Sequence, residues 1–266
     1  MYDSFNRRIN YLRISVTDRC NLRCLYCMPA DGVPLLRHQD ILSFDEIVEV
    51  TKTAVKLGVN KVRISGGEPL VRKGIVDLVK MIAQIGGIHD LSMTTNGCFL
   101  ENFAQQLADA GLHRVNISLD TIDPEKYRQI TRLGDIQQVF RGIEAAKKAG
   151  LRPIKINCVV KYDSSEPDAL LVKAFAEKEN LQVRFIREMN LEKGDFGVVE
   201  GGEGGNCKMC NRLRLTASGK IKPCLFSDLE FDVRELGPEI AIKLALGKKP
   251  EAGLMNTVNG FSNIGG

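Results

Sequence analysis

The sequence predicts an α/β fold, an open partial (βα)6 TIM-type barrel that carries a small C-terminal extension. Three observations predict it. Between about residues 10 and 188, six short β-branched runs alternate with longer stretches of helical periodicity, which implies parallel pairing and right-handed crossovers. Gly58-Val59, Gly111-Leu112 and Gly150-Leu151 each end a helical stretch just before a strand, a weak repetition of one βα unit. Polar and glycine-rich residues gather at the C-terminal ends of the strands, where barrel folds place their active sites. Six units are fewer than the eight of a closed barrel, and a doubly wound open sheet is the architectural alternative.

The first strand is Tyr11-Leu12-Arg13-Ile14-Ser15-Val16, which runs directly into a cysteine-rich loop. Ser43-Phe44-Asp45-Glu46 reads as a capping box, followed by Ile47, Val50, Ala54 and Leu57 at helical spacing and by Gly58 as the stop. Val62–Ser65, Leu91–Thr95, Val115–Ser118, Ile154–Val159 and Val183–Ile186 supply the remaining strands. Helices are expected over about 73–84, 101–110, 138–149 and 167–180, with another started by Asp123-Pro124. Residues 1–190 therefore read as the core. The span 191–206 is glycine-rich and aperiodic and reads as a linker, and 207–266 reads as the extension, with a hairpin around Ser218-Gly219 and a helix near 238–246.

Composition excludes several classes. In 266 residues, 44% are hydrophobic and 26% charged, ordinary for a globular protein with a full core. A net charge of +4 gives no footprint for wrapping nucleic acid. No apolar run approaches the roughly 20 residues of a membrane helix, and the N-terminus lacks the apolar stretch of a signal peptide. The expected location is the cytoplasm, where thiols stay reduced and cysteines serve as metal ligands rather than disulfides.

Of eight cysteines, Cys20, Cys24 and Cys27 form one triplet and Cys207, Cys210 and Cys224 another. Cys98 and Cys158 stand alone and read as small buried hydrophobes. Three thiolates are one fewer than the four that normally close an iron–sulfur cluster or a structural zinc site. None of the three histidines (His38, His89, His113) lies near either triplet to complete a zinc site. The first triplet, on a loop after a barrel strand, therefore favours a [4Fe–4S] cluster with one open iron.

This spacing, with Tyr26 before the third cysteine, strongly resembles the radical SAM superfamily. Gly66-Gly67-Glu68-Pro69 looks like that superfamily's second motif. Further stretches resemble the GTP 3′,8-cyclase family: residues 12–21 and 63–70, Thr94-Thr95-Asn96-Gly97, Asn116–Asp120, Cys207-x2-Cys210-Asn211-Arg212-Leu213-Arg214-Leu215-Thr216, Pro223-Cys224-Leu225-Phe226 and the terminal Gly265-Gly266. The resemblance implies two [4Fe–4S] clusters, on Cys20, Cys24 and Cys27 and on Cys207, Cys210 and Cys224. It implies S-adenosylmethionine held by Tyr26, Gly67, Ser118 and Met189, and GTP held by Arg13, Arg63, Thr94, Lys155 and Arg212-Leu213-Arg214, with guanine on the second cluster's open iron. No catalytic side chain is implied beyond these sites. The implied reaction starts with a 5′-deoxyadenosyl radical taking hydrogen from C3′ of GTP and ends at a 3′,8-cyclised dihydroguanosine triphosphate, the first step of molybdenum cofactor biosynthesis. The double-glycine tail is implied to reach the active site. An electron donor such as flavodoxin or ferredoxin and a downstream cyclic pyranopterin monophosphate synthase follow by pathway, and a homodimer is compatible.

Two features depart from the family. The stretch between Ile186 and Cys207 is several tens of residues shorter than usual, and Arg187 stands where the family has Glu. The departures leave two alternatives: a radical SAM enzyme with an auxiliary cluster acting on a peptide or other small molecule, or a non-catalytic iron–sulfur descendant of the cyclase.

Overall fold

The computed structural model describes residues 1–258 and 260–264, with only the backbone at Ser262; the expectation for Gly265-Gly266 lies outside the described residues. Six parallel strands follow the expected order: β1 (Tyr11–Ser15), β2 (Lys61–Ser65), β3 (Asp90–Thr95), β4 (Arg114–Ser118), β5 (Lys155–Val160) and β6 (Gln182–Arg187). Among the described residues they lie in one sheet in the spatial order 6-5-4-3-2-1, and β6 does not close onto β1. A doubly wound sheet reverses its strand order at a switch point. This one never reverses within its six units, so the partial barrel is the architecture and the alternative falls.

Six helices connect or flank these strands: α1 (Phe44–Lys56), α2 (Ile75–Ala83), α3 (Leu100–Asp109), α4 (Pro124–Thr131), α5 (Ile136–Lys148) and α6 (Pro167–Lys178). Local chemistry fixes their starts. The Ser43 hydroxyl accepts from the Glu46 amide (3.2 Å) while the Glu46 carboxylate accepts from the Ser43 amide (2.7 Å), completing the capping box. Asp123 accepts from the amides of Glu125 and Lys126 (both 2.9 Å), with Pro124 in the first turn.

The alternation of each strand sorts its side chains. Leu12 and Ile14 of β1, Val62 and Ile64 of β2, and Ile156 and Cys158 of β5 join the apolar core. The opposite face of the same strands carries Arg13, Arg63 and Asn157, which border the barrel interior. Cys98 is also buried. The two isolated cysteines are packing residues.

The C-terminal hairpin strands do more than flank the barrel. Strand β7 (Arg212–Leu215) pairs in parallel with β1 in the register Tyr11↔Arg212 and Arg13↔Arg214. Strands β8 (Lys220–Lys222) and β9 (Phe231–Asp232) add antiparallel neighbours, giving nine strands in one sheet among the described residues. A short helix, α7 (Val233–Leu236), leads into α8 (Pro238–Gly247), which packs back against α1. Residues 191–206 fold along β6: Phe185 and Glu200 exchange backbone hydrogen bonds of 3.0 Å, Arg187 pairs with Asp195, and the Phe196 ring stacks on Phe226 with centroids 4.4 Å apart.

One close approach links this scaffold to the loop after β3. A Cβ on Gly142 of α5 would stand 2.4 Å from the carbonyl oxygen of Gly97. Gly142→Ala is expected to destabilise the fold by about 1–3 kcal/mol through overpacking, measured as a lowered midpoint in urea unfolding.

Candidate active site

The cysteine loop that follows β1 is laced to its surroundings by backbone. Gly67 N donates to Thr17 O (2.7 Å) and Glu68 N to Arg19 O (2.8 Å), so the Gly66-Gly67-Glu68-Pro69 turn lies against the loop's entry. A Cβ on Gly67 would sit 2.4 Å from Arg19 O, which explains the glycine. On the far side, Arg23 N and Leu25 N donate to Thr131 O and Ile130 O at the end of α4 (both 3.0 Å). Glu68 is buried and accepts from Thr95 Oγ1 (2.7 Å), Asn96 N (2.7 Å) and Leu70 N (3.0 Å), tying the loops after β2 and β3 together.

The three thiols of this loop are free, half-buried and open to one cavity of about 370 Å³. Burial pushes the Cys20 thiol up to about 11 and the Cys24 thiol up to about 12, and raises Cys27 as well. Such thiols become thiolates only against a compensating positive charge, which a metal centre supplies. The Cys20 sulfur already accepts from Leu22 N (3.4 Å) and Asn96 Nδ2 (3.9 Å), the amide-to-sulfur bonds typical of iron–sulfur sites. Three free thiols on one short loop, all opening into the same cavity, are a donor set in which each thiolate can bind a different iron of one cluster. The donor set therefore fits the [4Fe–4S] group.

The same cavity reaches Cys207, Cys210 and Cys224. The strand register explains how. Cys20–Cys27 follow the C-terminal end of β1, whereas Cys210 precedes Arg212, whose partner is Tyr11 at the N-terminal end of β1. Strand β8 runs antiparallel to β7 and delivers Cys224 to that same end. The two triplets thus face one another along β1, five residues or roughly 16 Å of strand.

Between them lies a basic wall. Arg214, Arg13 and Arg63 occupy one register row across β7, β1 and β2. The Arg63 and Arg212 guanidiniums stand over the Tyr11 ring, 5.4 and 5.8 Å from its centroid. Burial, then Arg214, lowers Arg13 well below the usual arginine range; burial also lowers Arg63, and burial with Arg212 brings Arg214 down to about 10. Neighbouring Arg114 spends its charge on Asp90 (2.6 Å). Like charges crowded out of water are costly, and a polyanion in the cavity offsets that cost through charge-assisted hydrogen bonds.

Most of the expected residues meet here. Tyr26, Gly67, Ser118 and Met189 line the cavity, as do Arg13, Arg63, Thr94, Arg212 and Arg214. The Tyr26 hydroxyl donates to Asp120 Oδ2 (2.8 Å), and Thr94 Oγ1 is buried without a partner among the described residues. Leu213 points the other way, into the apolar core, because neighbours along a strand alternate faces. Lys155 sits two residues before cavity-lining Asn157 on the same face of β5 but is not itself among the lining residues. Sequence reasoning passed over Arg184 of β6, which lines the cavity with its Nε buried and unpartnered among the described residues. The signal was available, since Arg184 is a basic residue within a strand pattern like Arg13 and Arg63. The glycine-rich stretch contributes Gly197, Gly202, Gly204 and Gly205 to the wall.

The open six-stranded parallel sheet with a cavity along its inner face defines a radical SAM protein, since the sequence profile of the Radical SAM superfamily matches residues 14–171. A Molybdenum Cofactor Synthesis C profile matches residues 169–245. GTP 3′,8-cyclase of Thermodesulfovibrio yellowstonii is 43% identical over 89% of this chain and 88% of its own length. That of Geobacter sulfurreducens is 42% identical over 94% and 93%. The Alkaliphilus metalliredigens relative is 38% identical over 100% of both chains, in an alignment of 320 positions, so it carries residues that this 266-residue chain lacks. Solved structures share the fold: anSMEcpe with bound AdoMet (TM-score 0.67, 18% identity, 91% of this chain and 81% of that one) and Streptococcus suis SuiB bound to S-adenosylmethionine (0.64, 14%, 92% and 65%). The chain belongs to the GTP 3′,8-cyclase family of radical SAM proteins.

Gly67→Ala is expected to force the Arg19 backbone away and displace Cys20. The measurable outcome is loss of the iron that Cys20, Cys24 and Cys27 hold after reconstitution, about four per chain, with the fold intact by circular dichroism.

Proposed function

We propose that this chain is a GTP 3′,8-cyclase acting in molybdenum cofactor biosynthesis. The observation that carries the reading is the single cavity with a cysteine triplet at each end and buried arginines between. Cys20, Cys24 and Cys27 would hold the cluster to which S-adenosylmethionine binds, and Cys207, Cys210 and Cys224 a second [4Fe–4S] cluster. When bound, the first cluster and S-adenosylmethionine supply hydrogen-abstraction chemistry.

The residues of the chain bind, orient and exclude water. A triphosphate carries about four negative charges, which match Arg13, Arg63, Arg184, Arg212 and Arg214. Anchored on that wall, the nucleotide presents its base toward Cys207, Cys210 and Cys224 and its ribose toward the other end. Tyr26, held by Asp120, together with Gly67, Ser118 and Met189, lines the end where S-adenosylmethionine is expected. Lys155, two residues before the lining Asn157 on the same face of β5, would add its charge to that wall. The glycine-rich segment serves as the wall against water. Flavodoxin or ferredoxin is the fitting class of electron donor, and six cavity-lining thiols that must stay reduced to bind iron fit a reducing cytoplasm.

Turnover tests the reading. Anaerobic incubation of the reconstituted protein with GTP, S-adenosylmethionine and dithionite is expected to yield 5′-deoxyadenosine together with cyclised GTP. Deoxyadenosine without GTP consumption would place the substrate elsewhere, and absence of both would leave a non-catalytic descendant. Removing one charged hydrogen-bonding partner costs about 1.5–3 kcal/mol. Arg63→Ala and Arg184→Ala are therefore each expected to raise the KM for GTP roughly ten- to hundredfold, with S-adenosylmethionine binding unchanged by equilibrium dialysis. Iron content gives an independent check: roughly eight irons per wild-type chain, and about four when Cys207, Cys210 and Cys224 are all replaced by alanine.

A further inference from the structure

We propose that Lys249 is the positioning residue of the second cysteine triplet: its ammonium clamps the chain segments that carry Cys210 and Cys224, and its charge raises the reduction potential of the cluster they hold. This rests on the two-cluster reading above. Lys249 lies just beyond α8, lines the cavity and is only 3% exposed. An ammonium so placed is tolerated when its donors are used. Nζ donates to the carbonyl of Arg212, two residues after Cys210 (2.9 Å), and to the carbonyl of Pro223, immediately before Cys224 (2.6 Å). One side chain thereby fastens the start of β7 to the end of β8 at their cysteine-bearing ends.

These two acceptors are neutral carbonyls, so neither bond cancels the charge, and the ammonium also lies within hydrogen-bonding reach of the Cys210 sulfur. With Nζ held on the residue before Cys224 and on the second residue after Cys210, the charge sits beside both ligands. Arg7 makes a parallel brace, donating to the carbonyls of Cys207 (2.7 Å), Glu251 (2.7 Å) and Pro250 (2.6 Å), but it is also ion-paired with Asp3 (2.6 Å). Arg7 therefore positions, while Lys249 positions and polarises. The first triplet lies away from this ammonium; there Arg23 donates to the carbonyls of Cys20 (2.8 Å) and Leu22 (2.9 Å). A cluster gains one negative charge when it takes up an electron, so a fixed cation nearby favours the reduced form.

The test uses the reconstituted full-length protein and its Lys249→Met and Lys249→Arg variants, titrated with dithionite and followed by electron paramagnetic resonance. Lys249→Met is expected to shift the second cluster's midpoint to more negative potential and leave the first cluster's midpoint in place; Lys249→Arg should restore it. An unchanged midpoint in Lys249→Met, or the same shift in both variants or at both clusters, overturns the proposal. Should Lys249→Met lose the second cluster, retention of that cluster in Lys249→Arg supports the clamp, and its loss in both variants overturns it. A wild-type protein showing one cluster only would instead defeat the two-cluster reading, a result separate from all of these.

Discussion

The parallel pairing of β7 with β1 is the constraint on which everything else depends. It places Arg214 beside Arg13 and, through β2, Arg63. It also fixes both triplets relative to one another, since one follows β1 and the other brackets the β7–β8 hairpin. A one-residue slip would turn Arg212 and Arg214 into the core and Leu213 into the cavity. The register is locked from both sides, by burial of Leu213 and Leu215 and by Asn211 O accepting from both Asn10 N and Tyr11 N (both 3.1 Å).

The site inverts the usual economy of a barrel interior. Where a closed barrel fills its centre with branched apolar side chains, this open one lines it with guanidiniums whose charges repel one another out of water. The fold tolerates this because the outward faces of the same strands are packed almost without exposure: Leu12, Ile14, Val62, Ile64 and Ile117 are all fully buried. Core packing on one face supports charge crowding on the other, and it is this crowding that the proposed triphosphate would offset.

Much of this was legible in the sequence. The order and kind of all six core strands, the capping box at Ser43 and the helix start at Asp123-Pro124 follow from periodicity and cap chemistry, which are local. Both triplets and the arginines at 13, 63, 212 and 214 were visible as charges and thiols in strand and loop patterns. What was not legible depends on long-range pairing. The hairpin at 212–222 reads as a local unit, and nothing in its residues says that its first strand joins β1 in parallel. The 191–206 stretch lacks periodicity because several of its glycines serve close backbone approaches rather than a repeating element: a Cβ on Gly201 would meet Val183 O at 2.7 Å, one on Gly194 would meet Leu254 O and one on Gly205 would meet Gly197 O. Arg184 shows the opposite failure, a signal present but not weighed.

The most direct measurement is pulsed electron–nuclear double resonance on the reduced holoprotein with GTP carrying nitrogen-15 in its guanine. The arrangement predicts a nitrogen hyperfine coupling on the signal of the second cluster and none on that of the first. A coupling on the first cluster, or on neither, would contradict a nucleotide held on the arginine wall with its base at Cys207, Cys210 and Cys224.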